Sequence, residues 1–129
     1  MSNLNAGLQE LTYYFFDEGI QIKELKAVAI PLSDIADAVL QSPSEELEKS
    51  ILTGMKFPVI VCKNTIQEHE KAVQGLSNKL PYDPSKPYLA IIGNQRITIA
   101  RKYFDSIDAF IIDNGIESIY VKFNYENNK

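Results

Sequence analysis

Residues 88–113 constrain the fold more than any other stretch of this chain, because their side-chain periodicity changes twice in a short span. Tyr88-Leu89-Ala90-Ile91-Ile92 is an apolar run too brief for a helix and closed behind by Pro87, which predicts a buried strand. Gly93 ends it. Beyond it, Ile97, Ala100, Arg101 and Phe104 share one face of a helix and Gln95, Thr98 and Lys102 the other, with Asn94 as the expected N-cap. Ile107, Ala109 and Ile111 then alternate with Asp108, Phe110 and Ile112 as far as Asp113, the period of a second strand. The expected order is strand, glycine turn, helix, strand, and the class is α+β.

A glycine between a strand end and a helix start lets backbone approach a ligand closely, and the N–H groups of the first helical turn favour an anion there. Arg96 stands in that turn with a forked donor suited to phosphate. Spacing alone leaves the other reading open, an ordinary helix start with a solvated arginine.

The wider pattern adds to this. Gly93-Asn94-Gln95-Arg96, an apolar-faced helix and Ile107-Asp108-Ala109-Phe110-Ile111-Ile112-Asp113 resemble the core of the ParB/sulfiredoxin-like superfamily. Its members read Gly-x-(His/Arg)-Arg, helix, then an apolar strand closing on Asp. Ile30-Pro31-Leu32-Ser33-Asp34-Ile35 resembles the opening of ParB-like domains. Leu47-x-x-Ser50-Ile51, Gly54 and Pro58-Val59-Ile60-Val61 resemble the block that precedes the family's nucleotide loop, with the Ser50 to Gly54 interval one residue shorter than is usual. The matched blocks span residues 28–113.

The resemblance implies a mixed sheet with packed helices around a strand–Gly-x-x-Arg–helix–strand core. It also implies a nucleotide, CTP or ATP with Mg2+, whose phosphates lie on Gly93, Asn94, Gln95 and Arg96. Ser50 and Gly54 are then expected near the same cleft, with Lys63 and Arg101 as further phosphate partners. For Arg101, pairing with a surface carboxylate is an equal alternative. Sulfiredoxins carry Gly-Cys-His-Arg at this turn; here Asn94 and Gln95 replace the cysteine and the histidine. An amide cannot be a thiolate nucleophile, so sulfiredoxin chemistry is excluded. ParB loops have two adjacent arginines, and with the neutral Gln95 in place of one the affinity for a triphosphate should fall. ParB proteins also continue into a helix-turn-helix domain, for which no residues are expected here.

At 129 residues the chain suits one core. Residues 28–129 are expected to form the ParB-like unit and residues 1–27 an N-terminal helix and strand extension. A net charge of −4 argues against extensive non-specific DNA binding, which needs several cations on phosphates, though a local basic patch stays open. The absence of a long apolar run or a basic-then-apolar N-terminus predicts neither membrane span nor signal peptide. A single cysteine forms no internal disulfide and fits a reducing cytoplasm.

Elsewhere, Leu4, Leu8, Leu11 and Phe15 recur at helical spacing and predict a helix over 3–17 that stops at Gly19. Tyr13-Tyr14-Phe15-Phe16 surrounds more of that helix than one buried face needs. Either Tyr13 and Phe16 face outward to meet a partner protein or a second copy, or all four pack on the domain. Alternation predicts strands over 20–23 and 26–32, with Pro31 at an edge or an end. Ser42 and Glu45 form a capping box with Pro43 at the first helical position, predicting a helix over 43–53 whose inward stripe is Leu47, Ser50 and Ile51, ended by Gly54. A second box at Thr65 and Glu68 predicts a helix over 65–76 with an apolar face of Ile66, Ala72, Val73 and Leu76. His69, the sole histidine, is expected on its solvated side, so no metal site of His and Cys is expected. Cys62 reads as a small buried hydrophobe. Residues 80–87 form a proline-rich loop, and Asn114-Gly115 predicts a C-terminal hairpin whose second strand holds Ile119, Val121 and Phe123.

These features support two functions. One is a nucleotide- or nucleic-acid-phosphate-binding protein in which any reaction is phosphoryl transfer or phosphodiester cleavage, with Arg96 stabilising charge. The other is a catalytically inactive scaffold that binds or inhibits a partner protein. The acidic balance and the aromatic N-terminus favour it, and the Ile-, Asn-, Lys- and Tyr-rich composition suits a phage or mobile-element gene.

Overall fold

Val59 and Val61 point to one side of a strand and Ile60 and Cys62 to the other, yet all four are fully buried. Such a strand must lie at the centre of a sheet covered on both faces. The structure, a computed structural model, describes residues 3–4, 10–15, 21–54, 58–112 and 119–121. In chain order these form β1 (Asn3–Leu4), β2 (Glu10–Phe15), β3 (Gln21–Lys26), β4 (Val28–Pro31), a 3-10 turn (Leu32–Asp34), β5 (Ile35–Ala36), α1 (Glu45–Thr53), β6 (Val59–Lys63), α2 (Ile66–Val73), β7 (Tyr88–Ile92), α3 (Asn94–Tyr103), β8 (Ser106–Ile112) and β9 (Ile119–Val121).

The main sheet has the order β1-β8-β6-β7-β5, with β4 also paired to β8. It is mixed: β6 runs parallel to β8 and antiparallel to β7, and β5 runs parallel to β7. One face packs Val59, Val61, Ile107 and Ala109 against Ile51 of α1 and Ile97 and Ala100 of α3. The other packs Ile60, Cys62, Phe110 and Ile112 with Ala72 and Val73 of α2. The alternation expected along residues 107–112 is therefore the alternation between two cores. A smaller antiparallel sheet has the order β3-β2-β9. Among the described residues, no helix is long and apolar enough to cross a membrane.

The segment from β7 through Gly93 and α3 to β8 has the expected order, and the strands expected near 20–23 and 26–32 are β3 and β4, with Pro31 ending β4. The helix expected over 3–17 is not formed: residues 10–15 are β2, paired with β3 from Glu10↔Lys26 to Phe15↔Gln21. Leu-Thr-Tyr-Tyr-Phe is rich in β-branched and aromatic residues, and pairing with β3 overrides the helical spacing of the leucines. The C-terminal expectation also changes. β9 pairs with β2, not with β8, while Asp113, Asn114, Gly115 and Phe123 lie outside the described residues.

Helix ends differ from expectation in detail. The N-cap of α1 is Ser44, not Ser42; its Oγ accepts the Leu47 N–H at 3.1 Å. Pro43 therefore precedes the cap, and Glu45, Glu46 and Glu48 occupy the first turn, where their charge favours the helix dipole. The N-cap of α2 is Thr65, as expected, accepting the Glu68 N–H at 3.1 Å. This helix stops at Val73 because Gly75 takes φ +78° and the Leu76 N–H turns back to the Val73 carbonyl, a glycine-terminated end.

His69, expected in solvent, is instead buried, 5% exposed. Its Nε2 lies 2.8 Å from the Leu80 carbonyl oxygen, and its ring meets Tyr82 edge-on at 5.7 Å. Ile66 and Leu76, expected inside, are 47% and 43% exposed. The face of α2 that meets the sheet runs through His69, Ala72 and Val73, so the histidine anchors the start of the proline-rich loop. Cys62 is buried as expected, and burial pushes its thiol up to about 12, leaving it protonated and inert.

Candidate functional site

β7 carries one extra residue against β6: Val61 pairs with Ala90 but Ile60 with Ile92, so Ile91 forms a bulge. A bulge bends its strand and redirects the chain beyond it, and the next residue after β7 is Gly93. The φ of Gly93, +99°, is left-handed, and a Cβ there would lie 2.6 Å from Val59 Cγ1 and 2.9 Å from Arg96 Nη2. Both conformation and space therefore require glycine. Gly93, not Asn94, is the N-cap of α3, and no side chain caps that end. Asn94 becomes the first helical residue, its carbonyl accepting the Thr98 hydroxyl at 3.0 Å.

The helical ladder opens with Ile97 N–H to the Gly93 carbonyl at 2.9 Å, so the first-turn N–H groups point out of the helix end. There they meet a cleft of about 400 Å³ lined by Gln41, Leu47, Ile51 and the Gly93, Asn94, Gln95, Arg96 turn. Arg96 is half-buried, and burial lowers its pKa from the ordinary value; a guanidinium nonetheless stays charged at neutral pH. The opposite wall belongs to α1, which is tied to α3 by Glu48. Its carboxylate accepts Lys102 Nζ at 2.8 Å and the Tyr103 hydroxyl at 3.1 Å. The Lys102 hydrogen bond holds the Glu48 carboxyl below its ordinary range.

No protein-family model matches the chain, and no curated protein matches it.

Four of the eight residues expected at the phosphate site are together: Gly93, Asn94, Gln95 and Arg96. The other four are not. Ser50 is exposed, because the α1 face turned to α3 runs through Leu47 and Ile51, which line the cleft instead. Gly54 caps the far end of α1 and is also exposed. Lys63 is paired with Tyr88, the first residue of β7, at the end of the sheet away from Gly93. Four strand residues at about 3.3 Å each put it roughly 13 Å from Val59.

Arg101 points elsewhere as well. It bonds the Asp37 carboxylate through Nη1 and the Ile35 carbonyl through Nη2 at 2.6 Å, the surface-pairing alternative. Of the residues expected to meet a partner, Tyr13 belongs to β2 rather than to a helix, and Phe16 lies outside the described residues.

Sequence reasoning misses Gln41. It precedes α1 outside any motif, and only the packing of α1 on α3 brings it to the turn. The proline-rich loop does not cover the turn. Asn64, next after β6, holds it at the opposite end of the sheet, donating Nδ2 to the Asp83 carbonyl at 2.7 Å and to the Lys86 carbonyl at 2.9 Å.

Proposed function

We propose that the protein binds a phosphate group of a nucleotide or nucleic acid at the Gly93–Arg96 turn, and that it is a ParB/sulfiredoxin-like protein. The observation that carries this reading is the guanidinium of Arg96 folded back over a glycine that cannot be anything else, at the mouth of a helix N-terminus. Backbone donors, the positive end of α3 and a forked cation converge on one small cleft, the combination that holds a phosphate.

Arg96 is the one cation among the described residues lining this cleft. A single phosphate is matched by that charge better than a triphosphate, and CTP or ATP would carry Mg2+ on its own phosphates. The described lining holds neither carboxylate nor thiol, so the reading is of binding rather than of turnover. Leu47 and Ile51 supply an apolar wall, and Gln41 and Gln95 supply amides for a sugar or base.

Thermal unfolding with CTP, ATP, a nucleoside monophosphate and a 5′-phosphorylated oligonucleotide, each with and without Mg2+, tests this. A ligand at ten times its Kd stabilises by about 1.4 kcal/mol, a shift of a few degrees in Tm. Arg96→Ala should remove most of the shift with the apo Tm nearly unchanged. If no ligand moves Tm at millimolar concentration, the phosphate reading fails and the partner-binding scaffold takes its place.

A further inference from the structure

The α1 wall of the phosphate cleft is thinly fastened. Its main neighbour is α3, and of its nine residues only Ile51 is buried, where α3 buries Ile97, Ile99 and Ala100. Leu47 packs half-buried against the same core. Glu45, Glu46, Lys49, Ser50, Leu52 and Thr53 are exposed. A helix this short does not hold itself in water and depends on what it packs against.

Hydrogen bonding narrows the fastening further. The chain is pinned as far as Leu40, whose N–H donates to the Asn78 carbonyl at 2.9 Å and whose carbonyl accepts Asn78 Nδ2 at 3.0 Å. From Gln41 to Gly54, among the described residues, every hydrogen bond that leaves the segment ends on one group, the Glu48 carboxylate, which Lys102 and Tyr103 reach from the last turn of α3. The Leu47 N–H, the Thr53 hydroxyl and the Gly54 N–H all bond within the segment. The Lys102 and Glu48 side chains are 55% and 23% exposed, so water can replace either partner. Breaking this contact strands no buried polar group.

The far end is also open. Gly54 leaves the helix with φ +154°, and a Cβ there would meet nothing within 4 Å. Release of Glu48 therefore frees α1 to move from Gln41 to Gly54. That movement takes Leu47 and Ile51 away from the Gly93–Arg96 turn, which they wall.

We propose that α1 is a latched flap: it undocks and melts as a unit while the main sheet and α3 stay folded, Glu48 is its latch, and a phosphate in the cleft holds it shut. The undocking and the latch stand on packing and hydrogen bonds alone, and the closure by ligand rests on the phosphate reading.

Native-state amide hydrogen exchange of the full chain, followed residue by residue, tests each part. Amides of residues 48–53 should exchange together, at least about tenfold faster than those of Ile97, Ile99 and Ala100. Their rates should depend only weakly on urea, because the opening exposes little surface. Glu48→Ala should speed them about threefold and leave α3 unchanged, and Glu48→Gln, which keeps one acceptor, should fall between. Glu46→Ala, an exposed change in the same turn, should have no such effect. AMP at ten times the Kd read from its Tm shift should slow the α1 amides about tenfold if it binds only the closed form. Protection in α1 equal to that in α3, or equal effects of Glu46→Ala and Glu48→Ala, would overturn the latched flap. An AMP that raises Tm without slowing α1 would overturn its closure by ligand. If AMP changes neither Tm nor exchange while α1 still exchanges early, the phosphate reading fails and the undocking stands.

Discussion

Replacing Gly93 by alanine tests the geometry on which the phosphate cleft depends. The backbone there has φ +99°, a left-handed conformation that costs a residue with a side chain about 1–2 kcal/mol. The new methyl would also sit 2.6 Å from Val59 Cγ1 and 3.0 Å from Val59 Cβ. Val59 is fully buried in the core and β-branched, so it cannot swing aside, and such overpacking costs about 1–3 kcal/mol. Together these give a loss of about 2–5 kcal/mol, a large part of the roughly 5–15 kcal/mol that holds a typical domain.

Val59→Ala alone should cost about 2 kcal/mol, from two buried methyl groups and the space they leave. In the double variant the methyl added at position 93 enters that space, so the combined loss should fall short of the sum by at least about 1 kcal/mol. Urea unfolding followed by far-ultraviolet circular dichroism suits a chain with no tryptophan. Gly93→Ala within about 1 kcal/mol of the parent, or single losses that add to within about 0.5 kcal/mol, would refute the close approach of Val59 to the turn.

Ser44→Ala should cost about 1 kcal/mol by removing the cap of α1, while Ser42→Ala should stay within about 0.5 kcal/mol of the parent in the same urea titration. Asn64→Ala leaves the Asp83 and Lys86 carbonyls without their donor and should cost about 1–3 kcal/mol, with faster amide exchange through residues 80–87. Cys62 ionises near 9.0 when unfolded and near 12 when folded. Above pH 9 the unfolded chain gives up a proton that the folded chain keeps. The stability tied to this thiol is therefore whole below pH 9 and falls by about 1.4 kcal/mol per pH unit up to pH 12. The Cys62→Ala variant should lack this part of the slope when unfolding is compared at pH 8 and pH 10.

Where local pattern and long-range packing ask for the same element, the chain is legible. Residues 88–92 and 106–112 can bury both faces only as central strands, and the glycine between strand and α3 can be read from the break in period. Residues 10–15 show the opposite case. The leucine spacing satisfies a helix and the side chains themselves suit a strand, and the decision rests with Gln21–Lys26, which supplies the partner strand. His69 misleads for another reason. A histidine counts as polar in any periodicity, yet one hydrogen bond to Leu80 and contact with Tyr82 let it serve as a core residue.

The site divides along the same line. Gly93 to Arg96 are consecutive, so the turn that brings them together is written locally. Only resemblance joins Ser50, Lys63 and Arg101 to them, and their separation arises from facts that no local pattern contains. β6 and β7 are antiparallel, which puts Gly93 beside Val59 and therefore Lys63 at the other end of the sheet. α3 then carries Arg101 away from the turn by more than a full helical turn, into reach of Asp37. Those two facts also explain why the turn retains one cation. Of the other cations expected to meet a triphosphate, Lys63 stands at the far end of the sheet and Arg101 binds Asp37 and the Ile35 carbonyl. A phosphate at the turn would therefore meet one guanidinium and the positive end of the α3 dipole.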